Sequence, residues 1–116
     1  MNEDKKIVVM IATDAIGSGS EELGHNLMRS YIYSLTEVDV KPKTMMFLNK
    51  GVYLTTEGSP VLDLIGQLED EGVEILSCGA CLDYYGLNDK LKAGSVTNMY
   101  SNVELMHEAD NTIVIS

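Results

Sequence analysis

The sequence predicts an α/β protein in which a mostly parallel sheet is packed between helices. Three observations carry that prediction. Ile7-Val-Val-Met-Ile-Ala12 is a short, unbroken, β-branched apolar run, the pattern of a strand covered on both faces. Strand-like runs alternate with helix-like segments about five times along the chain. Gly, Ser and Pro punctuate the joins without gathering into a linker, and no repeat or low-complexity tract interrupts them. At 116 residues there is room for one ordinary core, so 1–116 reads as a single domain.

The elements follow in order. After the first strand, Ser18 with Glu21 fits a capping box. It opens a helix whose apolar spacing runs through Leu23, Leu27, Met28, Tyr31, Ile32 and Leu35. Lys43 to Asn49 reads as strand two, and Gly51 to Gly58 as a loop anchored inward by Val52 and Leu54. Ser59-Pro60 marks a helix entry with Ser as N-cap, Val61 to Leu68 carry the apolar face, and Gly72 is the left-handed stop. Val73 to Ser77 is strand three, ending at Cys78. A helical turn over Leu82 to Tyr85, a short helix over Leu87 to Ala93 and a strand over Ser95 to Thr97 follow. Ser101 and Glu104 offer a capping box for the last helix, and Thr112 to Ile115 is the last strand.

Charge and hydropathy exclude several function classes. Eight Lys and Arg stand against eighteen Asp and Glu, a net charge of −10. Phosphate backbones and anionic lipid headgroups both call for a basic surface, so neither nucleic acid nor membrane is an expected partner. No apolar run approaches the ~20 residues of a membrane helix. The charged start, Met1 to Lys6, does not read as a signal peptide, and the expected location is cytoplasmic.

In an open α/β sheet, ligands bind beyond the carboxyl ends of the strands. Three loops should gather there: Thr13 to Ser20, Asn49 to Gly58, and Cys78 to Tyr85. The sharpest feature is Cys78-Gly-Ala-Cys81, which holds the only two cysteines. A disulfide across it would close too small a loop to be a structural staple, leaving reactive thiols, half a metal site or two core thiols. A strand-end cysteine with a helix starting behind it lies near unpaired N–H groups that stabilise a thiolate, which favours reactivity. Gly79 permits close approach of a substrate, and Cys81 lies one helical turn on, within reach of an adduct on Cys78.

A metal is not expected, because neither His25 nor His107 is spaced to share a site with the cysteines. Nor is a nucleotide: the third glycine of G-x-G-x-x-G is replaced by Glu22, and Glu21 and Glu22 would repel a pyrophosphate. No cofactor is therefore assigned. Asp14 either faces the cysteine pocket or caps its turn. Asn49 ends strand two, and Lys50 brings a positive charge toward the cysteine edge, where it would favour an anionic sulfur donor, or is simply solvated. Tyr84 and Tyr85 either roof the pocket, cover core or sit in a subunit interface.

Longer motifs carry a resemblance. Glu21-Glu-Leu-Gly24 with Leu27-Met28, Pro42-Lys-Thr44 with Phe47-Leu-Asn49, Gly58-Ser-Pro-Val61, and Gly72 to Leu87 with its C-G-A-C-L-D-Y-Y-G-L stretch resemble the DsrE-like domain of the YedF proteins. Val96 to Tyr100 continues the likeness, which covers nearly the whole chain. The resemblance implies a three-layer α/β/α sandwich over a five-stranded sheet. It implies a sulfurtransferase-like persulfide carrier associated with selenium metabolism, with Cys78 as the sulfur-accepting residue and Cys81 its neighbour. It also implies a homo-oligomer and partner proteins that donate and accept sulfur. Two-domain relatives carry a TusA-like domain ahead of this one; this sequence has none, so it is expected to be either a stand-alone version or a fragment, with another protein, such as a TusA-like one, as its donor. Two rivals stand beside it: a thiol–disulfide oxidoreductase using the C-x-x-C pair, and a non-catalytic binding subunit with core thiols.

Overall fold

The computed structural model describes residues 5–116; Met1 to Asp4, most of the charged start read above, lie outside them. Five strands form one parallel sheet in the order β4-β3-β2-β1-β5. They are β1 (Ile7–Ile11), β2 (Thr44–Phe47), β3 (Glu74–Cys78), β4 (Ser95–Thr97) and β5 (Asn111–Ile115). Between them run α1 (Glu21–Glu37), α2 (Leu62–Asp70), α3 (Gly79–Tyr84) and α4 (Met99–Glu108), with a 3₁₀ helix over Asn49–Leu54.

Parallel strands need crossovers, and crossovers take one hand, so the direction of travel decides which face each helix covers. From β1 the chain steps outward to β2, β3 and β4, and α1 and α2 pack together on one face. It then returns across the sheet from β4 to β5, so α4 lies on the other. Two apolar layers result. Val9, Ile11, Met45, Phe47 and Ile75 pack with Met28, Ile32, Ile65 and Leu68. Val8, Met46, Leu48 and Cys78 pack with Leu105 and Met106 of α4. The continuous apolar run of β1 serves both layers, as a two-sided strand must.

Several boundaries differ from the sequence expectation, each for a local reason. The α1 cap is Ser20, not Ser18: its hydroxyl accepts from the Leu23 N–H at 3.2 Å, after Gly17 has turned the chain at φ 87°. The Ile16 N–H donates to Gly24 O, and this loop packs so closely on Gly24 that a Cβ there would lie 3.0 Å from Ala15. That contact rolls the helix so that Gly24, Met28, Ile32 and Thr36 face inward, while Leu23 and Leu27 are left exposed. At α2 the N-cap position is Val61, not Ser59: the Ser59 hydroxyl accepts from the Val61 N–H and closes a turn ahead of the helix, which begins at Leu62.

For α4 the cap is Asn98, which accepts from the Ser101 N–H at 2.9 Å. The segment Leu87 to Ala93 is not helical. Its backbone is taken by residues 55–57: Glu57 donates to Lys90 O, Lys92 donates to Thr55 O, and Thr56 bridges Leu91 antiparallel. Residues 49–54, read as loop, form the 3₁₀ helix, with Val52 and Leu54 buried as expected.

Candidate functional site

The site grows from the end of β3. Side chains alternate across a strand, so Ser77 points to the α1–α2 face and Cys78 to the α4 face. Ser77 is fully buried and shares a 2.7 Å hydroxyl hydrogen bond with Thr55. Cys78 is 6% exposed, among Val8, Met46 and Leu48. It is the residue before the first turn of α3, and its side chain makes no cap hydrogen bond. Gly79 is held against β4: a Cβ there would lie 3.0 Å from Val96 Cγ1 and 3.4 Å from Thr97 O. Its lack of a side chain therefore serves sheet packing.

One turn along α3, Cys81 is only half-buried and touches both apolar layers. β2 ends opposite it. Asn49 takes the left-handed region at φ 48°, which Asn tolerates better than most residues. That turn aims its backbone N–H at Cys81, donating to Sγ at 3.1 Å. The Tyr85 hydroxyl donates to Asn49 Oδ1, and the Tyr53 and Tyr84 rings flank Tyr85 at centroid distances of 5.1 and 5.2 Å. Asn49, Ala80, Cys81, Tyr84 and Tyr85 line a cleft of about 440 Å³. The 3₁₀ helix can close on the sheet here because residue 51 is glycine; a Cβ at Gly51 would collide with Ile11 O.

Burial raises the Cys81 thiol above its ordinary pKa, and a hydrogen bond with the Cys78 thiol raises it further. The Asn49 N–H opposes this by favouring the thiolate, while charge on Cys78 adds to the rise. At neutral pH Cys81 therefore rests mainly as the thiol, with one backbone donor in place for negative charge on it.

Of the residues singled out from sequence, Cys78, Cys81, Asn49 and Tyr84 come together, with Gly79 beside them. Asp14 and Lys50 do not join them. Asp14 faces the His25 ring at 3.6 Å, and both line a recess with Lys50 and the Gly17–Gly19 loop. Sequence reasoning passed over the hydrogen bond from Tyr85 to Asn49. It also passed over Asn102, which is fully buried, accepts from Thr97 Oγ1 at 3.2 Å and leaves Nδ2 without a partner. Thr97 is the register partner of Cys78, an adjacency no local pattern signals. Among the described residues no three His, Cys, Asp or Glu side chains converge as metal ligands.

Solved structures share this architecture. The YchN protein from E. coli is 17% identical with a TM-score of 0.73, covering 96% of this chain and 99% of its own. MTH1491 from Methanobacterium thermoautotrophicum is 19% identical with a TM-score of 0.68, covering 96% and 99%. BT1422 from Bacteroides thetaiotaomicron is 13% identical with a TM-score of 0.64, covering 97% of each chain. Both of the latter are described as proteins of unknown function, and at these identities the likeness is one of fold. No curated protein sequence matches this chain. The DsrE/DsrF-like family model matches residues 5–115, nearly the whole sequence, and the chain belongs to the DsrE/DsrF-like family.

Proposed function

We propose that the protein is a sulfur carrier that holds sulfane sulfur as a cysteine persulfide and passes it to a partner protein. The observation that carries this reading is Cys81: a half-buried sulfur in an open cleft, met by a backbone N–H, with a second thiol behind it. The Cys81 thiolate attacks the outer sulfur of a donor persulfide, R–S–S⁻. A new S–S bond forms on Cys81, the donor bond breaks, and R–S⁻ leaves. The Asn49 N–H is placed to offset negative charge on the sulfur. An acceptor thiolate then takes the terminal sulfur by the same exchange and returns Cys81 to its thiolate.

This order reverses the assignment suggested by the motif, in which Cys78 receives the sulfur. At 6% exposure among core residues, Cys78 is poorly open to a protein donor, whereas Cys81 lines the cleft. Cys78 is better suited to discharge: its thiol attacks Cys81 persulfide, giving a Cys78–Cys81 disulfide and releasing hydrogen sulfide. A selenium donor would be handled by the same nucleophilic step. Docking of donor and acceptor, or of further copies of this chain, is favoured by exposed Tyr84, Val96, Met99 and Tyr100 around α3 and β4.

Intact-protein mass spectrometry after treatment with a cysteine desulfurase and cysteine tests the reading. One added sulfur is expected on the wild type and on Cys78→Ser, and none on Cys81→Ser. Loading lost only in Cys78→Ser would restore the motif's assignment. A wild type lighter by two hydrogens together with no sulfur on Cys78→Ser, which cannot discharge a persulfide into a disulfide, would favour the oxidoreductase, and no change of mass in any of the three proteins would favour a binding subunit.

A further inference from the structure

A second recess opens between α1, the 3₁₀ helix and the turn before α2, with none of the cysteine cleft's residues in its lining. Its volume is about 410 Å³, within the ~300–1,000 Å³ of small-molecule sites. The floor is core: Met28, Leu54 and Val61 are 1%, 3% and 1% exposed. The walls carry both signs of charge, from Arg29, Asp14 and Glu57. Arg29 is the sole arginine of the chain, and among the described residues no carboxylate lies within ion-pair distance of it. Among the same described residues, the one ion-pair partner of Asp14 is the His25 ring at 3.6 Å, and that of Glu57 is the Lys90 ammonium at 3.5 Å. Both partners are about half exposed, so these contacts are weak and readily exchanged for a ligand's.

The charges select the ligand class. A simple anion would suit Arg29 but face two carboxylates, and a simple cation would meet the guanidinium. A neutral apolar molecule would fill the floor while stripping water from three charged groups without replacing it, which is costly. A zwitterion with an apolar tail satisfies all three. Its carboxylate takes the planar fork of Arg29, its ammonium takes Asp14 and Glu57, and its tail covers Met28, Leu54 and Val61. We propose that this recess binds a free α-amino acid with an unbranched or lightly branched apolar side chain. The recess is lined by neither cysteine, though its Tyr53 ring also packs against Tyr85 of the cysteine cleft.

The test uses the full chain labelled with [methyl-¹³C]methionine, the Met28 methyl being the reporter. Three probes share one tail: L-norleucine, hexanoate (the same molecule without its ammonium) and pentylamine (without its carboxylate). A saturable Met28 shift is expected with norleucine, with affinity about tenfold or more above either analogue, the scale of one charge-assisted hydrogen bond. Arg29→Gln should reduce norleucine affinity to that of pentylamine, and the double variant Asp14→Asn with Glu57→Gln to that of hexanoate. None of these side chains belongs to the apolar core, and the unperturbed spectrum of each variant reports its fold. Equal affinity for all three probes, no saturable shift with norleucine, or full affinity in Arg29→Gln would each overturn the proposal.

Discussion

At the scale of single residues, reactivity is governed by the balance around the Cys81 sulfur. Burial and the Cys78 thiol push its pKa up, and the Asn49 N–H pulls it down. A raised pKa means a smaller thiolate fraction at neutral pH, so iodoacetamide alkylation of Cys81 should accelerate as pH rises, with a midpoint above the ordinary thiol value. Two of the three upward influences come from Cys78. Cys78→Ala should therefore move the midpoint downward and speed alkylation at pH 8. A midpoint that stays put or climbs would mean that the two thiols do not interact as described. Asn49 was legible as a strand-end turn residue, and its left-handed φ agrees with that reading. The unequal exposure of the two cysteines was not legible. C-x-x-C spacing is the same whether the strand's last side chain points to solvent or to a helix, and only the packing of α4 over Val8, Met46 and Leu48 buries Cys78.

Elements differ in how far their own residues determine them. Local apolar patterning located all five strands and the helices α1, α2 and α4; β1, β2 and β3 bury most of their side chains, whereas β4 and β5, at the sheet edges, stay largely exposed. The failure at Leu87 to Ala93 is equally physical. Its helix-compatible sequence gains more from pairing with residues 55–57, which occupies backbone groups on both segments, than from a short helix of marginal stability. Gly94 closes that segment at φ 72°, and a Cβ there would collide with Ile75 O. Gly72 has φ 98° with nothing within 4 Å of a Cβ, so the two glycines separate backbone strain from collision. Gly72→Ala should cost about 1–2 kcal/mol, and Gly94→Ala clearly more, because β3 must also shift. Urea denaturation midpoints of the two variants provide the measurement, and equal midpoints would show that the close approach at Gly94 has no energetic weight.

For the whole molecule, the charge balance dominates. A net charge of −10 on 116 residues repels itself in the compact state, and only three ion pairs occur among the described residues, all at least partly exposed. Thermal stability should therefore rise between about 0.01 and 0.15 M NaCl, as the Debye length falls from ~30 to ~8 Å. A fall in the melting temperature over that range would mean that local ion pairs outweigh the overall repulsion. No helix among the described residues is long and apolar enough to cross a membrane.

Local patterns in the chain suffice for the α/β class, the parallel sheet between helices and the strand end that bears the cysteines. Each of these follows from local patterns: two-sided apolar runs, helical spacing, caps and turns. The family was also legible, because the motif between Gly72 and Leu87 is contiguous. The tertiary packing was needed to show which thiol lies in the cleft, that Tyr85 donates to Asn49, and that Asp14 lies against His25 instead of the cysteines. Those outcomes depend on the hand of the crossovers and on close approaches at Gly24, Gly51 and Gly79, where segments far apart in sequence meet. Local periodicity says which face of an element is apolar; it carries no information about which neighbour that face will touch.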